Sequence, residues 1–381
     1  MVTLSKFLKS RRVGCFSFNF IEANSAHMLS AILPEYGLVE NECAIRAFGT
    51  GLINHTWKVS TAGNEYILQR INDQVFRQPL LIAENMSLLG DYLNSVCPQY
   101  LFIRPLPTLN GKSLAYSAGH GWFRLSPFVR SSQTYDVVED KQLAYEAARQ
   151  FGKFTRLLAG FPASDLHITL PDFHNLSLRA RQFEDALQHG DRSRIAESAE
   201  LIRLIGSFSP ILEEFGQIRS DPGFRSRVTH HDTKISNVLF DKEGKGICVI
   251  DLDTVMPGYF ISDLGDMLRT YLSPVSEEEK DLSRIAIRED YFQAVVSGYL
   301  GEMKDELSAT EIGHTVYAGK FMIYMQAMRF LTDHLNNDRY YGAKYEGHNF
   351  VRAGNQITLL QRLTEKESLL NEMVSHLTHL N

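Results

Sequence analysis

Asp232, Asn237 and Asp251 are the residues whose types and spacing could do chemistry. They stand in His230-His231-Asp232-Thr233-Lys234-Ile235-Ser236-Asn237 and in Val249-Ile250-Asp251-Leu252-Asp253. Phosphoryl transfer asks little covalent work of a protein; it needs positioning and charge compensation. One carboxylate must accept a proton from the acceptor hydroxyl. A second carboxylate and an amide oxygen must hold magnesium on the nucleotide phosphates. Asp232 supplies the first, and Asn237 can turn back to the metal from the same loop. Asp251, at the end of the next short strand, supplies the metal carboxylate. Lys234 stands where a cation can neutralise charge on the moving phosphoryl group, although a solvated lysine is the plainer account of it. Turn formation would explain Asp232 and Asn237, but it leaves Asp251 unexplained.

A second candidate segment is Phe48-Gly49-Thr50-Gly51-Leu52-Ile53-Asn54-His55-Thr56-Trp57-Lys58-Val59. Glycines let backbone amides approach phosphate oxygens closely. The pair gains weight because it lies between two strands, where a phosphate-covering hairpin belongs. Asn54 stands where the protein-kinase-like pattern, which the His-x-Asp-x-x-x-x-Asn spacing resembles, would have a third glycine, and asparagine tolerates left-handed backbone. Gly49, Gly51, Asn54 and Thr56 are therefore the expected phosphate contacts. The same resemblance implies a cation on the following strand for the nucleotide phosphates, partnered by a glutamate on the next helix. Glu84 is the expected partner. The cation position falls on Gln69, with Arg70 beside it on the opposite face of an ideal strand. A bulge could bring Arg70 inward; otherwise Gln69 acts as a neutral donor. Arg124-Leu125-Ser126-Pro127-Phe128-Val129 should be the connection on which adenine rests, and Val129 has the N–H that Pro127 lacks.

The elements that must position these groups change character along the chain. Ala44–Phe48, Thr56–Ser60 and Glu65–Ile71 alternate as strands do, and Leu80–Leu93 has helical spacing. Two more strands are expected at Phe102–Pro107 and Trp122–Phe128, with the turn Asn110-Gly111 between them. From there helices dominate, including Leu143–Leu158 and Phe321–Leu335, interrupted by two short strands within Val228–Asp253. Strands followed by helices give an α+β order and not βαβ alternation. The expected division is an N-terminal extension over 1–40, a nucleotide-binding lobe over 41–128, and a catalytic and substrate lobe over 129–381.

Composition narrows the function classes. The 381 residues carry a net charge of −6 with 44% hydrophobic residues, the balance of a soluble globular protein. No polybasic run offers the footprint of a nucleic-acid partner. No apolar stretch reaches the length of a membrane span. The basic residues before Val13–Phe20 resemble a secretory leader, but the apolar stretch is too short and is broken by Ser17 and Asn19. The cytoplasm is the expected compartment. Cys15, Cys43, Cys97 and Cys248 are far apart and show no metal-ligand spacing.

The spacing His-x-Asp-x-x-x-x-Asn, followed by a hydrophobic strand ending in Ile-Asp, resembles the signature of the protein-kinase-like fold. Ile250-Asp251-Leu252-Asp253 is similar to the small-molecule branch typified by aminoglycoside phosphotransferases. Gly51–Trp57, Tyr66–Asn72, Leu170–Asn175, Val249–Gly258 and Arg329–Leu335 further resemble the N-acetylhexosamine 1-kinase group. That resemblance runs in order from about residue 45 to about residue 360. It implies a bilobal fold and magnesium-dependent transfer of the ATP γ-phosphoryl group to the anomeric hydroxyl of N-acetylglucosamine or N-acetylgalactosamine. It also implies that Arg329, Tyr340 and Tyr341 face the sugar, with Lys234 near the acceptor. The same fold could serve another sugar, an amino alcohol or an aminoglycoside, or a nucleotide sensor without activity. His348, Asn349, Arg352 and Asn355 read as a polar cluster at helical spacing, compatible with a solvated face.

Overall fold

The computed structural model describes residues 28–49 and 53–379. Gly51, and the part of the expected N-terminal extension before residue 28 with Cys15, lie outside the described residues. The chain divides into two compact units. One takes the residues up to Glu84 together with Ile103–Phe128; the other takes Asn85–Phe102 and the chain from Val129 onward.

The first unit is built on an antiparallel sheet of five strands in the order β1-β2-β3-β5-β4. These are β1 (Ala44–Ala47), β2 (His55–Ser60), β3 (Glu65–Arg70), β4 (Ala115–Ser117) and β5 (Gly121–Pro127). Alternation along β2 and β3 divides the side chains between two faces. Val59, Leu68, Phe123 and Leu125 point to one face and are buried with Met28, Leu29, Ile32 and Leu33, which precede the sheet. Thr56, Lys58, Gln69, Arg124 and Ser126 occupy the other face by register. Lys58 is buried there: its Nζ sits 2.5 Å from Glu65 and 3.6 Å from the centre of the Phe128 ring. The strand expected at Phe102–Pro107 does not form. Only Leu106 bridges to Leu125, because Pro105 and Pro107 on either side have no N–H for a ladder. The short β4 takes the edge instead.

Helix α1 (Pro79–Val96) carries Glu84 on an exposed surface. In the second unit α2 (Lys141–Leu157) opens with Asp140 accepting from the Gln142 amide. Then come α3 (Leu176–His189), α4 (Arg192–Glu197), α5 (Ala199–Ser207) and α6 (Pro210–Ile218). Two small antiparallel pairs follow: β6 (Arg227–Thr229) with β9 (Met256–Gly258), and β7 (Val238–Phe240) with β8 (Gly246–Val249). The chain ends in α7 (Phe260–Tyr271), α8 (Glu289–Met303), α9 (Ala309–Gly313), α10 (Thr315–Leu335), α11 (His348–Glu365) and α12 (Glu367–His379). Helix α7 is the platform of the site. Ser262, Asp263, Asp266 and Arg269 are all buried or nearly so, while Gly265 lets α10 approach until an added Cβ would lie 2.4 Å from the Ala318 carbonyl. Among the described residues no helix is long and apolar enough to cross a membrane.

Candidate active site

The loop after β6 holds Asp232, and buried polar side chains fix its backbone. Asp263 on α7 accepts from the His230 amide at 3.0 Å and the His231 amide at 2.7 Å, one on each carboxylate oxygen. Asp266, one turn along the same helix, accepts from the Thr233 amide at 2.9 Å. Tyr271 donates its hydroxyl to the Thr233 carbonyl at 2.6 Å. His230 is fully buried against Phe151 and Phe154. Its Nε2 faces the Ile250 carbonyl at 2.9 Å and its Nδ1 accepts from the Asp232 amide at 3.3 Å, which together fit the neutral Nε2–H tautomer. Burial is the main cause holding this imidazole below its usual range. Burial likewise pushes Asp263 up to about 7, against the pull of the two amides.

Asp232 is left with part of its carboxylate exposed. Lys234 Nζ lies 3.1 Å from its Oδ2. Burial would lower the Lys234 ammonium, but Asp232 reverses that and raises it above its ordinary value. Asn237 ends a tight turn at Ile235–Asn237 and donates Nδ2 to the Asp232 carbonyl at 2.9 Å. Its own carbonyl accepts from the Ile250 amide at 2.9 Å, across the mouth of the β7–β8 hairpin. Asp251 comes next, exposed, with left-handed backbone at φ 59° and ψ 60°. The hairpin therefore brings Asn237 beside Ile250, the residue that precedes Asp251.

Of the nucleotide candidates of the first unit, Thr56 and Gln69 stand on the sheet face opposite its core. Gly49 has φ 78°, and among the described residues, its chain neighbours aside, nothing lies within 4 Å of where a Cβ would stand. Asn54 Oδ1 accepts from the Asn72 amide at 3.0 Å, so its side chain ties the start of β2 to the chain just after β3. Thr56 Oγ1 accepts from Gln69 Nε2 at 3.3 Å. The β2–β3 register is continuous through His55↔Arg70 and Thr56↔Gln69, without the bulge that would turn Arg70 inward. Arg70 accordingly stays on the face away from Gln69 and lines a small cavity of about 210 Å³ with Ile53, His55 and Asn72. Beside Gln69 stands a cation that the spacing argument passed over. Arg124 of β5 is 3% exposed and donates Nε to Gln69 Oε1 at 2.8 Å. Its partner could have been found only from the strand register. Val129 follows in the second unit, and its carbonyl accepts from the Ser132 hydroxyl at 2.7 Å.

The model of the phosphotransferase enzyme family matches residues 44–299, a span that holds the glycine segment, Asp232, Asn237 and Asp251. The chain belongs to that family. Solved structures share its fold at low identity. A spectinomycin phosphotransferase in complex with ADP and spectinomycin is 14% identical, with 90% of this chain and 98% of that one covered, at a TM-score of 0.58. A microcompartment-associated aminopropanol kinase is 17% identical over 92% and 98%, at 0.57. A choline/ethanolamine kinase family protein from Mesorhizobium loti is 14% identical over 94% and 99%, at 0.55. The α+β, protein-kinase-like fold expected from the sequence is the fold of this phosphotransferase.

On the helical side of the phosphotransferase, Arg329 of α10 is surrounded by rings. Its guanidinium carbon lies 5.4 Å from the Tyr341 ring centre, 5.9 Å from Tyr340 and 6.0 Å from Phe173. Gln326 links the group, accepting from Arg329 at 3.2 Å and donating to the Tyr341 hydroxyl at 3.2 Å. Tyr340 is 72% exposed, which leaves a ring face for a ligand. His174 stacks on Phe173 and shares the Ser262 hydroxyl with His231, the residue before Asp232. His174, Ser262 and His231 border a cavity of about 350 Å³, with Tyr259 and Phe173. The spacing argument missed this cluster, because its members are distant in the chain. It also read His348, Asn349, Arg352 and Asn355 as compatible with a solvated face. That reading is corrected: His348, Asn349 and Asn355 are all at most 3% exposed and hydrogen-bonded inside the helical unit.

Proposed function

We propose that this phosphotransferase is a magnesium- and ATP-dependent kinase that phosphorylates the anomeric hydroxyl of an N-acetylhexosamine. The observation that carries the acceptor side is the gathering of Arg329, Tyr340 and Tyr341 with Phe173, tied through His174 and Ser262 to the residue preceding Asp232. Aromatic rings suit the apolar faces of a sugar, and a guanidinium suits its hydroxyl and acyl oxygens. The aminopropanol and choline/ethanolamine kinases of the same fold keep an amino alcohol as the second reading.

In this reading Asp232 takes the proton of the attacking hydroxyl, and Lys234 offsets charge on the transferred group. The chelating candidates suit a hard cation. Asn237 spends its amide nitrogen on the Asp232 carbonyl and keeps its oxygen end for a metal, while Asp251 presents an exposed carboxylate. Magnesium held there would neutralise the phosphate oxygens. Magnesium keeps several waters and is commonly held by one or two carboxylates together with substrate phosphates, a role that Asp251 and Asn237 would share with the nucleotide. Gly49, Gly51 and Thr56 remain the proposed phosphate contacts, Glu84 the proposed helix partner and Val129 the proposed adenine contact. Gln69, backed by Arg124, takes the third-strand position in place of Arg70.

An acceptor panel of amino sugars, neutral sugars, amino alcohols and aminoglycosides, read by ADP release and ³¹P resonance, tests the proposal. An anomeric phosphate on N-acetylglucosamine or N-acetylgalactosamine is the expected product. Turnover of an amino alcohol alone would replace the sugar reading and leave the kinase reading standing.

A further inference from the structure

A continuous run of ion pairs and hydrogen bonds joins the catalytic loop to the Tyr340-Tyr341 segment. It begins where the Thr233 amide donates to Asp266 at 2.9 Å. Asp266 pairs with Arg269 at 3.1 Å, and Arg269 pairs with Glu277 at 2.8 Å. Glu277 gives its other oxygen to Arg352 of α11. Arg352 donates to Asn349 Oδ1 at 3.1 Å and lays its guanidinium 3.7 Å from the centre of the Phe330 ring. Asn349 Nδ2 bridges Asp333 at 3.1 Å, Asp338 at 2.9 Å and the Gly342 carbonyl at 2.9 Å. Asp333 closes the run, accepting from the Tyr340 amide at 2.7 Å and the Tyr341 amide at 2.9 Å.

Four features make this more than surface charge pairing. Asp266, Asp333 and Asn349 are 5%, 4% and 0% exposed, and the two guanidiniums are 14% and 13% exposed. Carboxylate and guanidinium alternate from Asp266 to Arg352, so removing any one leaves a desolvated charge beside its former partner. Burial would raise Glu277, yet Arg269 and Arg352 together hold its carboxyl below the usual range. At the far end an amide, not a charge, separates two carboxylates. Asn349 has one donor group for both and one acceptor for Arg352, a division that aspartate could not make.

We infer that Glu277 and Arg352 are positioning residues for phosphoryl transfer, fixing the Tyr340-Tyr341 segment in register with the loop that carries Asp232. The inference rests on the reading of Arg329, Tyr340 and Tyr341 as the acceptor site. Neither residue touches the reacting atoms; each acts through the backbone amides at the two ends.

Arg269→Lys and Asn349→Ala alter opposite ends and share no partner, so a double-mutant cycle reports what passes between them. Each single variant is expected to lower acceptor kcat/KM roughly tenfold while nucleotide affinity, measured by titration, holds. The double variant should be no more than about threefold below the worse single. Penalties that multiply in full would overturn the inference. A second measurement needs no acceptor. Amide exchange over 339–347 should quicken in Arg269→Lys, and a change confined to 230–271 would overturn it equally. Glu277→Gln, which keeps the volume, takes the place of Arg269→Lys in the exchange measurement where that variant does not fold. If the unaltered protein turns over no amino sugar, the sugar reading falls by itself, and the exchange result still judges the coupling.

Discussion

Gln69 and Arg124 form one unit on the sheet: the amide oxygen of the first accepts from the buried guanidinium of the second at 2.8 Å, while its nitrogen reaches Thr56. A neutral residue at the third-strand position thus comes with a cation on the adjacent strand. The pair predicts a division of labour opposite to the one that proximity in sequence suggests. Arg124→Gln should raise the nucleotide KM about tenfold or more, the worth of a charged hydrogen bond, and leave the acceptor KM unchanged. Arg70→Ala, on the other face, should move neither by more than about twofold. Initial-rate kinetics with each substrate varied separates the two outcomes, and equal effects would remove Arg124 from nucleotide binding.

Asp232→Asn keeps the shape of the loop and removes the proton acceptor. Turnover should fall by roughly 10²- to 10⁴-fold while nucleotide still binds. Unchanged kcat in a stopped-flow or coupled assay would take Asp232 out of the mechanism.

Chelation should stop turnover, and added magnesium should restore it. In Asp251→Asn the left-handed backbone is tolerated, so the protein should fold normally and need at least about tenfold more magnesium for half-maximal rate. A magnesium titration of both proteins reads this directly. An identical requirement would place the metal elsewhere.

How far the sequence was legible depends on the range of the interactions. The alternation of Thr56–Ser60 and Glu65–Ile71, the helical stripe of Leu143–Leu158 and the turn between Val228 and Asp253 are local patterns. The structure has strands at His55–Ser60 and Glu65–Arg70, a helix at Lys141–Leu157 and a hairpin over Val238–Val249. At 102–107 hydrophobic content suggested a strand that two prolines forbid. His348, Asn349, Arg352 and Asn355 show where local pattern fails. Helical spacing puts them on one face, but spacing is the same whether that face meets water or Glu277. The His174–Ser262–His231 cluster was invisible for the same reason, since its partners are 88 and 31 residues apart.

Acid should unfold the protein earlier than carboxylate protonation alone would. Burial and the neighbouring His230 push the His231 imidazole down to about 4, and burial also lowers His230 and His174. Below about pH 6.5 the unfolded chain binds protons that the folded protein refuses, so stability is lost as pH falls from there toward 4. His231 alone accounts for about 3 kcal/mol across that window. Asp263, raised to about 7, works the other way: its folded form gains protons between 7 and 4, an offset of about 4 kcal/mol that covers the His231 share and leaves the net acid loss to His230 and His174. Chemical denaturation at several pH values should show a shallower acid slope for His231→Asn than for the unaltered protein. Parallel slopes would mean that the imidazole is protonated inside the fold.

Gly265→Ala tests the platform without touching the chemistry. Its methyl would meet the Ala318 carbonyl of α10 at 2.4 Å, and backbone cannot swing aside as a side chain can. The helices must separate at a cost of about 1–3 kcal/mol, visible as a lower Tm. An unshifted Tm would show that the two helices slide freely.

The left-handed backbone at Asp251 limits how this site can decay. Most residues would be strained there by about 1–2 kcal/mol, whereas glycine and asparagine sit comfortably. A drifting lineage therefore has two undemanding exits, one discarding the ligand atom and the other keeping an oxygen without its charge. Descendants that abandoned phosphate chemistry while retaining the scaffold should carry one of those two residues at this position, a trace that a sequence survey could look for.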